Sequence, residues 1–204
     1  MGRPSNKEER RQQIIDGLKA AMAEKGYEKA SIQSIAKAAG LSPGLIHYHF
    51  KTKQEILVEL TNQLSQTSKD RFANKVESAS SPIERLYAYI ESALELGEGS
   101  DPEAVTAWVL ISAEAVRQEE VRTLYQQVVR ENLDLLTSIL TDVKKANALD
   151  LDNKEVTELA SLILATIEGC YQLATTSGEL LPKDYTSKTL KRLIETHLGS
   201  STNG

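Results

Sequence analysis

The sequence contains little of what marks secreted, membrane or β-sheet proteins. Its 204 residues include a single cysteine, Cys170, so no disulfide can form within the chain, as is usual in a reducing compartment. Proline is scarce, with 5 residues, and no stretch alternates apolar and polar residues as a strand does. No apolar run approaches membrane-spanning length, and no leader-like apolar segment follows the charged start. We therefore expect a cytoplasmic, all-α protein that does not contact a membrane.

The sequence also lacks the residue combinations of known types of active site. No Ser-His-Asp set, catalytic carboxylate pair or phosphate-binding loop is apparent, and the 3 histidines are not spaced as metal ligands. We predict no catalytic residues, no metal site and no cofactor. The alternative hypothesis of an enzyme on a helical scaffold is supported only by Cys170 and the histidines.

Charge is distributed unevenly along the chain, although the net charge of −5 alone argues against contact with nucleic acid. Residues 1–55 contain ten Lys or Arg and six Asp or Glu, a charge of +4, whereas residues 56–204 contain fourteen and twenty-three, a charge of −9. A basic N-terminal region beside an acidic remainder is expected where only one end of a protein meets phosphate. An excess of +4 could also arise by chance.

The most informative stretch is residues 31–53, SIQSIAKAAGLSPGLIHYHFKTK, which predicts two short helices joined by a tight turn. Ser31 is a good N-cap for the first helix, and Gly40 can turn the chain without steric cost. Ser42 and Pro43 then begin the second helix in the favoured order of cap and first residue. This is the arrangement of a helix-turn-helix, whose second helix lies in the major groove of DNA.

The second helix divides its side chains between a core and a groove-facing surface. Ile46 and Phe50, four residues apart, are expected in the core. We expect the base-facing surface to consist of Pro43, Gly44, Leu45 and His47. Gln33 is expected near the groove, and His49 could serve either face. The predicted DNA-contacting residues are Gln33, Ser42, Pro43, Gly44, Leu45, His47, Tyr48, His49 and Lys53, of which Ser42, Tyr48 and Lys53 are the predicted phosphate contacts.

Two segments of this stretch carry a family resemblance. Residues 35–44, IAKAAGLSPG, and residues 47–53, HYHFKTK, resemble the DNA-binding domain of TetR/AcrR-family bacterial transcriptional regulators, nearest the BetI-like branch. One departure is His47, where the family more often has tyrosine. The resemblance implies an N-terminal three-helix helix-turn-helix domain, residues 1–52, and a larger C-terminal helical domain for effector binding and dimerisation, residues 53–204. We expect about nine helices in all.

A helix is predicted from Val156 to Ala174 with apolar residues on more than one face, which requires cover from two sides. Gly169 in its middle costs roughly 1 kcal/mol relative to alanine, which is understandable if another backbone approaches there. The family resemblance implies that the last two helices form a four-helix dimer interface. The residues assigned to it are Ile163, Ile167, Gly169, Cys170, Leu190 and Ile194. The alternatives are a helix buried within one subunit and, for Cys170, ordinary packing.

Several polar or amphipathic side chains fall on helix faces that are predicted to be internal. Buried polar groups need partners, and the resemblance implies a small-molecule pocket in the C-terminal domain. The predicted ligand-binding residues are Tyr87, Trp108, Ser112, Tyr125 and Thr166. The alternative for each is ordinary packing with its polar atom bonded to backbone.

We therefore predict a homodimeric bacterial transcriptional regulator, most simply a repressor. It would bind palindromic double-stranded operator DNA through the helix-turn-helix and release it when a small-molecule effector of unknown identity enters the C-terminal domain. The alternative is an effector-independent DNA-binding regulator or an architectural protein.

Overall fold

The computed structural model describes residues 6–94 and 101–200. Within these ranges the chain forms nine α-helices, one 3₁₀ turn at Gly178–Leu180 and no β-strand, which confirms the all-α prediction. No helix in the described ranges combines the length and the hydrophobicity needed to span a bilayer. The helices are α1 (Asn6–Lys29), α2 (Ile32–Ala39), α3 (Pro43–His49), α4 (Lys53–Val76), α5 (Pro82–Ala93), α6 (Pro102–Ala115), α7 (Glu119–Ala146), α8 (Asn153–Ser177) and α9 (Tyr185–Ser200).

Side-chain caps define the start of several helices, as the sequence predicts. The Ser31 side chain accepts the N–H of Ser34, whose hydroxyl oxygen in turn accepts the N–H of Ser31. The Ser42 side chain accepts the N–H of Leu45 at 3.3 Å, with Pro43 in the first turn of α3. Gly40 ends α2 in the left-handed conformation, at φ 65°. These contacts confirm the predicted boundaries of the helix-turn-helix. Caps mark helix ends because they satisfy backbone groups that the helix leaves unpaired.

Two helix ends have distinctive local geometry. Gly26 has φ 78° and ψ 161°, so it interrupts α1 before a last short segment that reaches Lys29. At the start of α4, the Thr52 hydroxyl accepts the N–H of Glu55 at 3.1 Å, and the Glu55 carboxylate accepts the N–H of Lys51. These two bonds together satisfy backbone groups at the beginning of α4.

The chain divides into two compact units. Unit 1 lies within residues 1–66 and 102–126, and unit 2 lies within residues 67–101 and 127–204. Helices α4 and α7 each contribute residues to both units, so this division differs from a boundary at residues 52 and 53. The assignment of the DNA-binding and effector domains to either side of that boundary stays a prediction.

The core of unit 1 holds the helix-turn-helix in place. Its fully buried side chains include Ile14, Ile15, Leu18, Met22, Ile35, Ile46, Ile56, Leu57 and Ile111. Gly17 lets α2 approach α1 closely, since a Cβ at this position would lie 2.8 Å from the Ile35 carbonyl oxygen and 2.9 Å from the Ala39 Cβ. The position of α2 therefore depends on the absence of a side chain at residue 17.

The core of unit 2 is formed by apolar side chains of α5, α7, α8 and α9. Its buried residues include Leu86, Tyr89, Ile90, Leu136, Ile139, Val143, Ala160, Ile163, Ile167, Leu190 and Ile194. Four residues of this core, Ile163, Ile167, Leu190 and Ile194, are predicted interface residues. Their side chains pack inside their own unit in the single chain, and their assignment to a subunit interface stays a prediction.

Candidate functional site

Helix α3 presents one exposed surface and one buried surface. Ile46 and Phe50 are buried in the core of unit 1, as predicted. Tyr48 stands out among the residues predicted to contact DNA, with 78% of its surface accessible. Gln33, Ser42, Pro43, Gly44 and His47 are also exposed or nearly so, while Leu45, His49 and Lys53 are placed closer to the core or the neighbouring helices. A glycine, an imidazole and a phenol on one exposed face can approach a nucleic-acid backbone closely and offer hydrogen bonds to it.

Arg11 anchors the C-terminal end of α3 to two other helices. Its guanidinium donates to the carbonyl oxygen of His49 at 3.0 Å and to the carboxylate of Glu59, in α4, at 3.0 Å. The same group lies 4.1 Å from the centre of the Phe50 ring. One side chain of α1 therefore holds α3 and α4 together, which fixes the direction in which the exposed face of α3 points.

His49 lies under this anchor. Among the described residues, no group forms a hydrogen bond with its buried Nδ1 atom. Burial, followed by the charges of Arg11, Lys7 and Arg10, lowers the pKa of His49. The imidazole therefore favours its neutral form, which suits a half-buried position beside several cations.

Lys53 is oriented toward the end of α1. Its Nζ donates to the carbonyl oxygen of Tyr27 at 2.8 Å and to that of Glu28 at 3.4 Å. It also lies 4.1 Å from the centre of the Tyr27 ring. The ammonium predicted to contact phosphate thus has partners within the chain.

The structure distributes the predicted ligand-binding residues over both units. In unit 1 the rings of Trp108 and Tyr125 are 5.1 Å apart, and the Ser112 hydroxyl donates to the Val109 carbonyl oxygen. In unit 2 the Tyr87 hydroxyl donates to the Glu195 carboxylate at 2.7 Å, and the Thr166 hydroxyl donates to the Leu162 carbonyl oxygen. Trp108 and Tyr125 are in ring contact, and the set as a whole stays a prediction.

Unit 2 contains a second polar and aromatic cluster that the sequence interpretation missed. The hydroxyl of Tyr89 donates to the Asn132 side-chain oxygen at 3.0 Å, and the edge of the Phe72 ring lies near the Tyr89 ring, with 5.7 Å between centres. The Tyr171 hydroxyl donates to the Ala93 carbonyl oxygen at 2.7 Å. These groups come from α4, α5, α7 and α8, so the packing of the unit brings them together.

Burial and the Glu168 carboxylate are the largest influences on this cluster, and the positive charge of Arg71 acts on Tyr171 in the opposite direction. Burial, followed by the negative charge of Glu168, raises the pKa of both Tyr89 and Tyr171. Both phenols therefore stay neutral at physiological pH, and a carboxylate lies near two aromatic rings. A signal for Tyr89 exists in the sequence, because it follows Leu86 by three residues on the same face of α5.

Helix α8 exposes a face that includes Gly169, one of the predicted interface residues, and not Ile163 or Ile167. Leu162 and Leu173 have 63% and 44% of their surface accessible, and in α9 the value for Leu193 is 62%. Gly169 lies on the same face as Leu162 and Leu173, and a Cβ added there would meet nothing within 4 Å. Cys170 is half-buried, and burial raises the pKa of its thiol. The described part of a single chain therefore leaves these leucines largely uncovered.

Two sequence families match the chain. Residues 14–60 match the family described as bacterial regulatory proteins, tetR family, and residues 82–199 match the family described as BetI-type transcriptional repressor, C-terminal. The chain is 32% identical over 127 residues to the HTH-type transcriptional regulator BetI of Rhizobium meliloti (strain 1021), an alignment covering 61% of this chain and 62% of that protein. It is 26% identical over 191 residues to BetI of Escherichia coli (strain K12), covering 93% and 94%.

Solved structures share the fold. A protein from Saccharomonospora viridis in complex with choline has a TM-score of 0.74 and 22% identity, over 95% of each chain. AibR in complex with isovaleryl coenzyme A and operator DNA has a TM-score of 0.70 and 18% identity, over 93% of this chain and 97% of that one. At these identities the similarity establishes the fold alone.

Proposed function

Because the chain belongs to the TetR family of bacterial regulatory proteins and has a BetI-type C-terminal domain, it is a transcriptional regulator, and we propose that it is a homodimeric repressor. In this proposal it binds a palindromic operator through α3 and releases it when a small molecule binds. The observation that carries the proposal is the exposed face of α3, which is mounted on a buried core and anchored by Arg11.

The exposed residues of α3 are suited to divide contacts between bases and phosphates. Tyr48 and the Ser42 side chain are polar groups at the edge of the face and are assigned to phosphate oxygens. Pro43, Gly44 and His47 form the part assigned to base edges, with no large side chain at Gly44 to hold the helix away from DNA. One short helix contacts few base pairs, so a specific site needs two α3 helices on one duplex.

The exposed face of α8 and α9 supports the dimer. Leu162, Gly169 and Leu173 are spaced by seven and four residues, which places them on one side of α8. A glycine between two leucines allows a second helix to approach, and burying the exposed Leu162 and Leu173 in the partner is favourable. We therefore assign the subunit contact to this face rather than to Ile163 and Ile167. Leu162→Glu should shift the sedimentation mass from two chains to one, whereas Ser161→Glu, which substitutes an exposed polar residue beside it, should not.

The cluster of unit 2 supports a cationic effector. Aromatic rings with a nearby carboxylate are the surroundings in which proteins bind ammonium groups, and Phe72, Tyr89, Tyr171 and Glu168 provide both elements. One protein that shares the fold was crystallised with choline. We propose a quaternary ammonium compound as the effector class, with Trp108 and Tyr125 kept as a second predicted aromatic surface.

The effector proposal is tested by a matched pair of small molecules. Choline and its neutral isostere 3,3-dimethylbutan-1-ol have nearly the same shape and differ in charge. Choline should raise the melting temperature of the full chain and weaken its binding to operator DNA, and the neutral alcohol should do neither. Glu168→Gln should remove the response to choline. An equal response to both compounds would contradict a role for the carboxylate.

The DNA-binding proposal is tested by selection from random duplexes. Repeated selection with the full chain should enrich an inverted repeat whose half-site centres are separated by about one helical turn, roughly 34–36 Å, or a related multiple. Tyr48→Ala should weaken binding to the selected duplex by about tenfold while the sedimentation mass stays that of two chains. Absence of an enriched sequence, or tight binding by single chains, would contradict the proposal.

A second function, regulation without an effector, is favoured by one observation. The hydroxyls of Tyr87, Ser112, Thr166, Tyr89 and Tyr171 all form hydrogen bonds within the chain. Groups that are already satisfied can serve packing alone. Release of operator DNA by choline would exclude this function, and constant operator binding across a metabolite library would favour it.

A further inference from the structure

The ammonium group of Lys53 lies against two carbonyl oxygens at the end of α1. The interruption at Gly26, with φ 78° and ψ 161°, turns the chain so that the last residues of α1 lie beside the first turn of α4. The carbonyl oxygens of Tyr27 and Glu28 accept from Lys53 Nζ at 2.8 and 3.4 Å. The Tyr27 carbonyl oxygen also accepts the N–H of Ala30 at 3.1 Å, so Lys53 adds a second, charge-assisted bond there. A cation at the end of a helix also interacts favourably with the helix dipole.

The surroundings of Lys53 are rich in acceptors and acidic groups. Its Nζ lies 4.1 Å from the centre of the Tyr27 ring, which is buried in the core of unit 1. Burial lowers the pKa of Lys53, and the nearby carboxylates of Glu114 and Glu28 act in the opposite direction. Burial, Glu114 and Glu120 raise the pKa of Tyr27 to about 12. Three carboxylates on this side of unit 1 would repel a phosphate group.

We propose that Lys53 is a positioning residue that sets the orientation of α3, rather than a phosphate contact. Helix α3 ends at His49, four residues before Lys53, and its end is held from the other side by Arg11. Lys53 links the first turn of α4 to the end of α1. The position at which the segment between α3 and α4 enters α4 is therefore fixed. This inference rests on the proposed function only in that α3 is taken as the helix that reads DNA.

Lys51, in the segment between α3 and α4, provides a matched comparison. It is exposed, whereas Lys53 is half-buried, and the two residues carry the same charge at positions two residues apart. A phosphate contact from this loop is therefore assigned to Lys51. The two lysines should respond differently to the same substitution.

The experiment compares Lys53→Met, Lys51→Met and the unchanged full chain in three measurements. The first is the melting temperature without DNA. The second is the slope of log affinity against log salt for a labelled 30-base-pair duplex of mixed sequence, whose magnitude falls by about 0.9 for each phosphate that the protein no longer neutralises. The third is the ratio of affinities for the duplex selected from a random pool and for the mixed-sequence duplex. This ratio does not depend on the fraction of protein that is folded.

Lys53→Met should lower the melting temperature by about 2–6 °C, leave the salt slope unchanged and reduce the affinity ratio by about 5- to 10-fold. Lys51→Met should leave the melting temperature unchanged and reduce the slope by about 1.8 per dimer. Lys53→Arg, which keeps the charge, should recover part of the affinity ratio.

Two results would overturn the inference. A salt slope reduced by Lys53→Met would identify a direct phosphate contact, and an unchanged affinity ratio would show that Lys53 does not orient α3. Failure of the proposed function looks different, because the unchanged chain would then enrich no duplex at all. In that case an unaltered melting temperature for Lys53→Met would still overturn the helix-capping role.

Discussion

In unit 1 the two helices of the proposed DNA-binding surface, α2 and α3, have eight and seven residues and are held by caps and cations, whereas α8 in unit 2 has 25 residues and packs along its length. Helices as short as α3 are not stable alone, so their orientation depends on anchors such as Arg11. Long helices gain their stability from a buried face. Unit 1 is therefore sensitive to the removal of individual polar side chains, and unit 2 is sensitive to the removal of apolar volume.

The largest effect is expected from removing apolar volume in unit 2. Ile163 is 1% exposed, so Ile163→Ala should reduce the free energy of unfolding by about 2–5 kcal/mol, since it leaves a cavity. Leu180, which is exposed on the 3₁₀ turn, is the control, and Leu180→Ala should change the free energy by less than about 0.5 kcal/mol. Urea unfolding followed by circular dichroism measures both. Similar losses in the free energy of unfolding for the two variants would contradict the expected difference between a buried and an exposed apolar side chain.

A smaller loss is expected where α1 and α2 approach each other in unit 1. Gly17→Ala places a methyl group 2.8 Å from the Ile35 carbonyl oxygen, so it should destabilise unit 1 by about 1–3 kcal/mol. Gly44→Ala adds a methyl group in open space and should be neutral or stabilising by up to about 1 kcal/mol. Fluorescence of Trp108, the single tryptophan, reports on unit 1 during unfolding. Equal effects of the two substitutions would show that the close approach at residue 17 is not a constraint.

The third effect concerns the interior hydrogen bond of unit 2. Tyr89→Phe removes the bond to Asn132 and should reduce the free energy of unfolding by about 0.5–1.5 kcal/mol. Tyr87→Phe removes a bond at the surface, to Glu195, and should reduce it by less. Thermal unfolding of the two variants under the same conditions makes the comparison. A larger loss for Tyr87→Phe would contradict the assignment of Tyr89 to the interior.

The smallest effect is a pH dependence in unit 1. Because the pKa of His49 is lowered in the folded state, the unfolded chain binds a proton more readily there. The stability that neutral His49 provides is present above the unfolded pKa, about 6.5, and is lost as the pH falls toward the folded pKa. His49→Gln should flatten the dependence of the melting temperature on pH across the range in which a free imidazole titrates. An unchanged dependence would show that His49 does not contribute to it.

The helix-turn-helix could be predicted because its signals act over short distances. Ser31 and Ser42 cap helices through bonds to residues three positions away, and Gly40 adopts a conformation that few other residues tolerate. The family matches at residues 14–60 and 82–199 confirm the resemblance drawn from this stretch. The caps and the turn residue within this short stretch were therefore sufficient to predict α2 and α3.

The buried faces of unit 2 could not be predicted in the same way. Both faces of α8 are apolar, and the sequence does not show which of them the chain's own helices cover, so Ile163 is predicted at an interface and Leu162 is not. In α5, Tyr87 and Tyr89 both follow Leu86 within one helical turn, and only the packing of α7 and α8 selects Tyr89 for the interior. The partners of Lys53 lie 26 and 25 residues earlier, beyond any local pattern.

Unit 1 is formed by two separated segments of the chain, and this affects how it folds during synthesis and how it can be engineered. Ala107 and Ile111, from α6, are fully buried in the same core as Ile14 and Ile46. A nascent chain must therefore leave the ribosome well past residue 111 before this core can close around its early helices. A fragment that ends at residue 66 and is fused to another effector domain would expose the apolar surface that α6 covers. A DNA-binding fragment transferred to another protein should therefore include α6.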